Sequence, residues 1–142
     1  LMKEYWKKEV KFLPALEGYE NTIKNNIAAV IIGDRAIANL GKYQYEYDLS
    51  EAWHQHSGLP FVFAAWVSNK PVPPHFIEAF NAANEYGLQR LDEVINENPC
   101  DEFDLKKYYT QYVQYRLDDA KRKGLQKFLA WCNHFKQQAQ AV

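Results

Sequence analysis

An α/β fold with a helical C-terminal third is the architecture this sequence predicts, and three observations carry it. Two strongly apolar runs, residues 28–32 (AAVII) and 61–67 (FVFAAWV), are bounded by turn residues, as strands buried on both faces are. The first run stops at Gly33-Asp34 and feeds straight into a helical pattern, the kind of junction where α/β proteins place a ligand. Beyond the linker Pro71-Val72-Pro73-Pro74 the apolar period changes from two to about 3.6 and stays there.

Taken in order, Leu1 to Glu9 reads as the tail of a helix already under way, because no N-cap residue precedes it, so the start of the protein is expected upstream. Residues 10–13 form a short strand ended by Pro14. A weak helical pattern over 19–26 closes on Asn25-Asn26, and strand 28–32 follows. A short helix spans 34–40, with Asp34 as its N-cap and Gly41 as its stop. Tyr43, Tyr45 and Tyr47 alternate with polar residues, the mark of a half-buried strand. Asp48 or Ser50 caps a helix running through His56; Gly58 breaks it and Pro60 opens strand 61–67. Phe76, Ile77, Phe80, Ala83, Gly87, Leu88, Leu91 and Ile95 share one face of a long helix over 74–96. A second helix covers 104–113, and a third starts at Asp118-Asp119, where carboxylates favour a helix N-terminus. The order βαβαβαβ followed by helices gives the α/β assignment.

At 142 residues the chain is one domain or a domain plus part of another, and a complete domain of that length buries roughly 68–70% of its unfolded surface. A net charge of −1 points to neither nucleic acid nor a membrane surface, and the basic cluster Lys121-Arg122-Lys123 reads as a solvated helix face. Cys100 and Cys132 lie far apart, outside any CxxC, and form neither a disulfide framework nor a zinc site. With no signal peptide and no membrane-length apolar run, a cytoplasmic location is the default.

Gly33-Asp34 is the first candidate site. Glycine lets the backbone turn sharply or approach a ligand, and the first amides of the following helix are donors for a carboxylate; the plain alternative is a strand-to-helix turn. Arg35 is either an anion clamp or, more in keeping with its position, a surface residue. His54-x-His56 would suggest metal, but residues two apart on a helix diverge. His75 and His134 read as structural or exposed. Ser57 offers its hydroxyl to a ligand or to the helix end, while Trp53 and Tyr47 suit a core better than a pocket. GxSxG, P-loop, GxGxxG and HExxH are absent.

The ordered strings AAVIIGDRAI, YDLSEAW and SGLPFVFAAWV, with YRLD leading to KGLQKF near the C-terminus, resemble the chorismate dehydratase family of the futalosine route to menaquinone. The resemblance extends over nearly the whole chain, with Ser50 where that family usually has Gly and Ser57 where it has Thr. It implies a fold like the type II periplasmic binding proteins, with residues 1–57 as a second α/β lobe, incomplete at its N-terminus. Residues 58–142 would be the interlobe crossing, a strand and the C-terminal helices returning to the first lobe. The implied activity is a lyase that dehydrates chorismate to 3-[(1-carboxyvinyl)oxy]benzoate without metal or redox cofactor. Gly33, Asp34 and Ser57 would bind substrate, and no residue stands out as the base. The alternatives are the sister 1,4-dihydroxy-6-naphthoate synthase and a non-catalytic binder of a small carboxylate. Without a first lobe, residues 61–67 and the last helices should pair with another chain or leave an apolar patch.

Overall fold

The strongest local signal of the sequence, Asp48-Leu49-Ser50-Glu51, is also the best-formed helix start. The computed structural model, which describes residues 1–101 and 103–140 with side chains as far as 136, shows Asp48 as the N-cap of α2 (Leu49–Ser57). Its Oδ1 accepts from the Ser50 amide at 2.7 Å and the Glu51 amide at 3.2 Å. Burial pushes the Asp48 carboxyl up, but the Ser50 hydroxyl and the Glu51 and Ser50 amides outweigh it, so it titrates below the ordinary aspartate value. A carboxyl with a depressed folded-state pKa lends stability above its unfolded pKa and loses it as pH falls through the folded one. Asp48→Ala is therefore expected to cost about 1 kcal/mol at neutral pH, with wild type and variant converging in acid; thermal unfolding followed by circular dichroism checks both. Gly58, at φ 71° and ψ 8°, ends α2 by donating its amide to the His54 carbonyl at 2.8 Å.

The other helices are α1 (Asp34–Ala38), α3 (Pro74–Leu88), α4 (Leu91–Glu97), α5 (Leu105–Lys107) and α6 (Asp119–Gln140). A 3₁₀ turn lies at Tyr19–Thr22, and α5 widens into a π-helical turn at Tyr108–Tyr112. Pro74 opens α3 in its first turn, where a backbone amide has no partner within the helix. The helix expected over 74–96 is split, because Arg90 leaves helical geometry (φ −125°, ψ 31°). Its guanidinium folds back over the Tyr86 ring, 3.5 Å from the centroid, and donates to the Tyr86 carbonyl at 3.2 Å, closing the end of α3. At the N-terminus, Leu1 to Glu9 forms turns, with the Tyr5 amide on the Leu1 carbonyl (2.9 Å), in place of the expected helix tail.

The expected α/β architecture is overturned: no strand forms among the described residues, and the periplasmic-binding-protein-like lobes go with it. Residues 10–13, 28–32 and 61–67 are in no ladder and largely exposed, Ile32 at 73% and Val67 at 90%. The reason is that a strand is a property of two segments. Apolar and β-branched residues fit a segment to a sheet, but the ladder needs a neighbour whose amides and carbonyls face it. The tyrosine alternation fails likewise. Tyr45 and Tyr47 are exposed, and the chain there is a turn whose Gly41 and Tyr43 amides donate to the Glu46 carboxylate at 3.1 and 3.2 Å.

The chain divides into two units, Leu1–Phe61 with Lys123–Val142, and Val62–Arg122. The core of the first is Trp53, 1% exposed, with Ala52 beside it on α2. Phe61, Phe128 and Trp131 surround the indole edge-on, at ring separations of 6.0, 5.6 and 5.4 Å. In the second unit Trp66 meets Phe80 edge-on at 5.3 Å, and Arg116 reaches both carboxylate oxygens of Glu85 at 3.1 and 3.2 Å. None of its described side chains is buried.

Candidate functional site

Gly33 holds φ 67° and ψ −150°, backbone that only glycine adopts without strain. It is Gly33, not Asp34, that caps α1: its carbonyl accepts the Ala36 amide at 2.8 Å and the Ile37 amide at 3.3 Å, which makes Asp34 the first helical residue. A Cβ placed on Gly33 would meet nothing within 4 Å, so the turn stands open on that side. Asp34 is exposed. Arg35 is exposed as well and paired with Glu20, its Nη1 at 3.2 Å from Oε1, so its charge is already answered inside the chain.

Ser57 ends α2, and its hydroxyl is largely committed to the turn that follows. Its Oγ accepts the Leu59 amide at 3.1 Å and donates to the Leu59 carbonyl at 3.3 Å. One lone pair remains, so Ser57 in this conformation can accept from a ligand hydroxyl but has no proton for a carboxylate. The turn is fastened to α6. Lys127 Nζ donates to the Ser57 carbonyl at 3.2 Å, and the Trp53 indole N–H to the Pro60 carbonyl at 3.3 Å. Buried Gly124 lies so close to that carbonyl that a Cβ on it would overlap the oxygen.

Gly33 and Asp34 are neighbours in the chain, whereas Ser57 belongs to the cluster it forms with Leu59, Pro60 and Lys127. Of the histidines weighed for metal, His54 is exposed, while His56 lies between the rings of Tyr5 (5.5 Å) and Trp131 (4.8 Å). Among the described residues no group of three or more His, Cys, Asp or Glu is placed to hold a metal ion. Trp53 packs in the core. Tyr47 lines a concavity of about 210 Å³ together with Tyr5, Trp6 and the carboxylates of Glu46, Asp48 and Glu51. Three carboxylates make that hollow hostile to an anion, and a second one of about 380 Å³ near Phe103 contains none of the candidate residues. The residues that sequence reasoning missed are Lys127, which holds the Ser57 carbonyl, and Gly124, whose close approach to the Pro60 carbonyl seats the turn on α6. The available signal was a glycine inside a helix, where alanine is the better former unless something approaches closely.

Among the described residues no helix is long and apolar enough to cross a membrane. In comparisons with known proteins, the chain is 34% identical over 90 residues to a chorismate dehydratase of Thermus thermophilus, covering 57% of this chain and 32% of the relative. It is 27% identical over 107 residues to a chorismate dehydratase of Campylobacter jejuni, covering 72% of this chain and 48% of the relative. The matched region thus spans between a third and a half of the curated relatives. No solved structure matches. A family model described as menaquinone biosynthesis matches residues 1–134, and on that extent the chain belongs to the menaquinone biosynthesis family.

Proposed function

We propose that this chain supplies part of the substrate cleft of a cytoplasmic chorismate dehydratase, with Gly33, Asp34 and Ser57 as its contacts to chorismate. The observation that carries the reading is the family match over residues 1–134, joined by two chorismate dehydratases among the relatives. The open Gly33-Asp34 turn supports it: exposed backbone and a carboxylate stand there with room for a ligand.

Dehydration removes a proton from the ring carbon bearing the enolpyruvyl ether and hydroxide from its neighbour. The C–H electron pair becomes the new double bond, water leaves, and the ring becomes aromatic. The protein has to hold the substrate and assist departure of the hydroxyl. Asp34 orients the leaving hydroxyl, the one O–H donor of the ionised substrate, and Ser57 contacts the substrate from the turn that follows α2.

Chorismate added to the isotopically labelled chain is expected to shift the amide resonances of Gly33, Asp34 and Ser57. Asp34→Asn should slow appearance of the aromatic ether about a hundredfold. A well-folded full-length protein that forms no aromatic product from chorismate, or forms it as fast with Asp34→Asn as with wild type, would overturn the assignment.

A further inference from the structure

The product of the dehydration proposed for this chain, 3-[(1-carboxyvinyl)oxy]benzoate, carries two carboxylates. Loss of water touches neither, so chorismate carries both, and at neutral pH both are ionised. The contacts Gly33, Asp34 and Ser57 bring no positive charge to meet them. Asp34 is itself an anion, Gly33 offers only backbone, and the Ser57 hydroxyl proton is already given to the Leu59 carbonyl at 3.3 Å. Arg35, beside Asp34, is paired with Glu20 at 3.2 Å.

Lys127 is a cation that the fold brings to one of these residues. Its Nζ donates to the Ser57 carbonyl at 3.2 Å, which uses one of the three ammonium donors and leaves two. Among the described residues no carboxylate pairs with it, whereas Lys121 on the same helix is held by Asp118 at 2.6 Å. Its own helix offers no acid either: the positions three and four away on α6 are Lys123, Gly124, Ala130 and Trp131.

Lys127 also stands on the packed stripe of α6, since Gly124, Lys127, Phe128 and Trp131 follow one another at i, i+3, i+4 and i+7. Gly124 lies against the Pro60 carbonyl, and Phe128 and Trp131 meet Trp53 at 5.6 and 5.4 Å. These contacts hold the lysine's turn of α6 against the end of α2, with the lysine itself exposed and open to a ligand.

We propose that Lys127 is a further substrate contact, its ammonium taking one carboxylate of chorismate beside Ser57; the assignment rests on the dehydratase function proposed for this chain. The reaction leaves that carboxylate unchanged. Holding it therefore stabilises ground state and transition state alike, so the contact acts on KM and not on kcat.

Steady-state turnover of chorismate by the full-length protein tests it. Lys127→Gln keeps an N–H donor for the Ser57 carbonyl but removes the charge, and should raise KM about tenfold or more with kcat nearly unchanged. Lys127→Arg keeps the charge and should stay close to wild type. Added salt screens an exposed pair, so wild-type KM is expected to climb with potassium chloride more steeply than that of Lys127→Gln. Lys127 is exposed and outside the core, so both variants should melt at the wild-type temperature. A Lys127→Gln protein with wild-type KM overturns the assignment. So does a Lys127→Arg protein impaired as much as Lys127→Gln, or a loss confined to kcat, either of which would make Lys127 a brace for Ser57 and nothing more. In each of these cases wild type still forms the aromatic product; a wild type that forms none overturns the dehydratase function itself, and this contact with it.

Discussion

Trp53→Ala should unfold the first unit. The indole is the one fully buried side chain among the described residues, and three of the rings around it, Phe61, Phe128 and Trp131, come from two other parts of the chain. Truncating a buried tryptophan costs about 3–5 kcal/mol in lost transfer energy and residual cavity. A whole domain is stable by only about 5–15 kcal/mol, and among the described residues no second buried cluster stands in reserve. The expected result is loss of the cooperative thermal transition and of near-ultraviolet dichroism, with ready proteolysis between α2 and α3. Trp53→Phe keeps most of the volume but strips the Pro60 carbonyl of its donor, and should cost about 1 kcal/mol. Equal melting of the Trp53→Ala variant and wild type would show that the stability of this unit lies elsewhere.

Gly124→Ala is the second large effect, and its sign runs against helix propensity. In an open helix the change would stabilise by about 1 kcal/mol. Here the added methyl overlaps the Pro60 carbonyl oxygen and lies 3.6 Å from Leu59 Cβ. The carbonyl is backbone, braced by Pro60's own ring and by the Trp53 indole, so it yields poorly. Overpacking of this kind costs typically 1–3 kcal/mol, making the net change destabilising. Because the clash and the indole hydrogen bond share one oxygen, Gly124→Ala combined with Trp53→Phe should destabilise by less than the sum of the two. A melting temperature raised by Gly124→Ala would refute the close approach.

How much was legible depended on whether a feature is local. The start of α2, narrowed to Asp48 or Ser50, its end at Gly58 and the start of α3 near Pro74 could be read from the sequence, since a cap or a proline acts on amides within one turn. The split between α3 and α4 was not legible, because Arg90 folding onto Tyr86 breaks a periodicity that the apolar residues continue. The strands at 28–32 and 61–67 were misread: their composition says what would pair well, and pairing is decided by a second segment. At the site, Gly33 was legible through its permissive backbone, though its role as the cap was assigned to Asp34. The bracing of Ser57 by Lys127 was hidden, since nothing in either residue announces a neighbour 70 positions away.

That separation sets an order of events during synthesis. The first unit begins at Leu1, yet the rings and the lysine that close it over Trp53 and Ser57 arrive only with Lys127, Phe128 and Trp131, after all of Val62–Arg122 has been made. On the ribosome residues 1–61 therefore wait, open, for α6. Closing so long a loop is slow as well as entropically costly. Termination or cleavage anywhere before α6 would leave residues 1–61 without the helix that seals them.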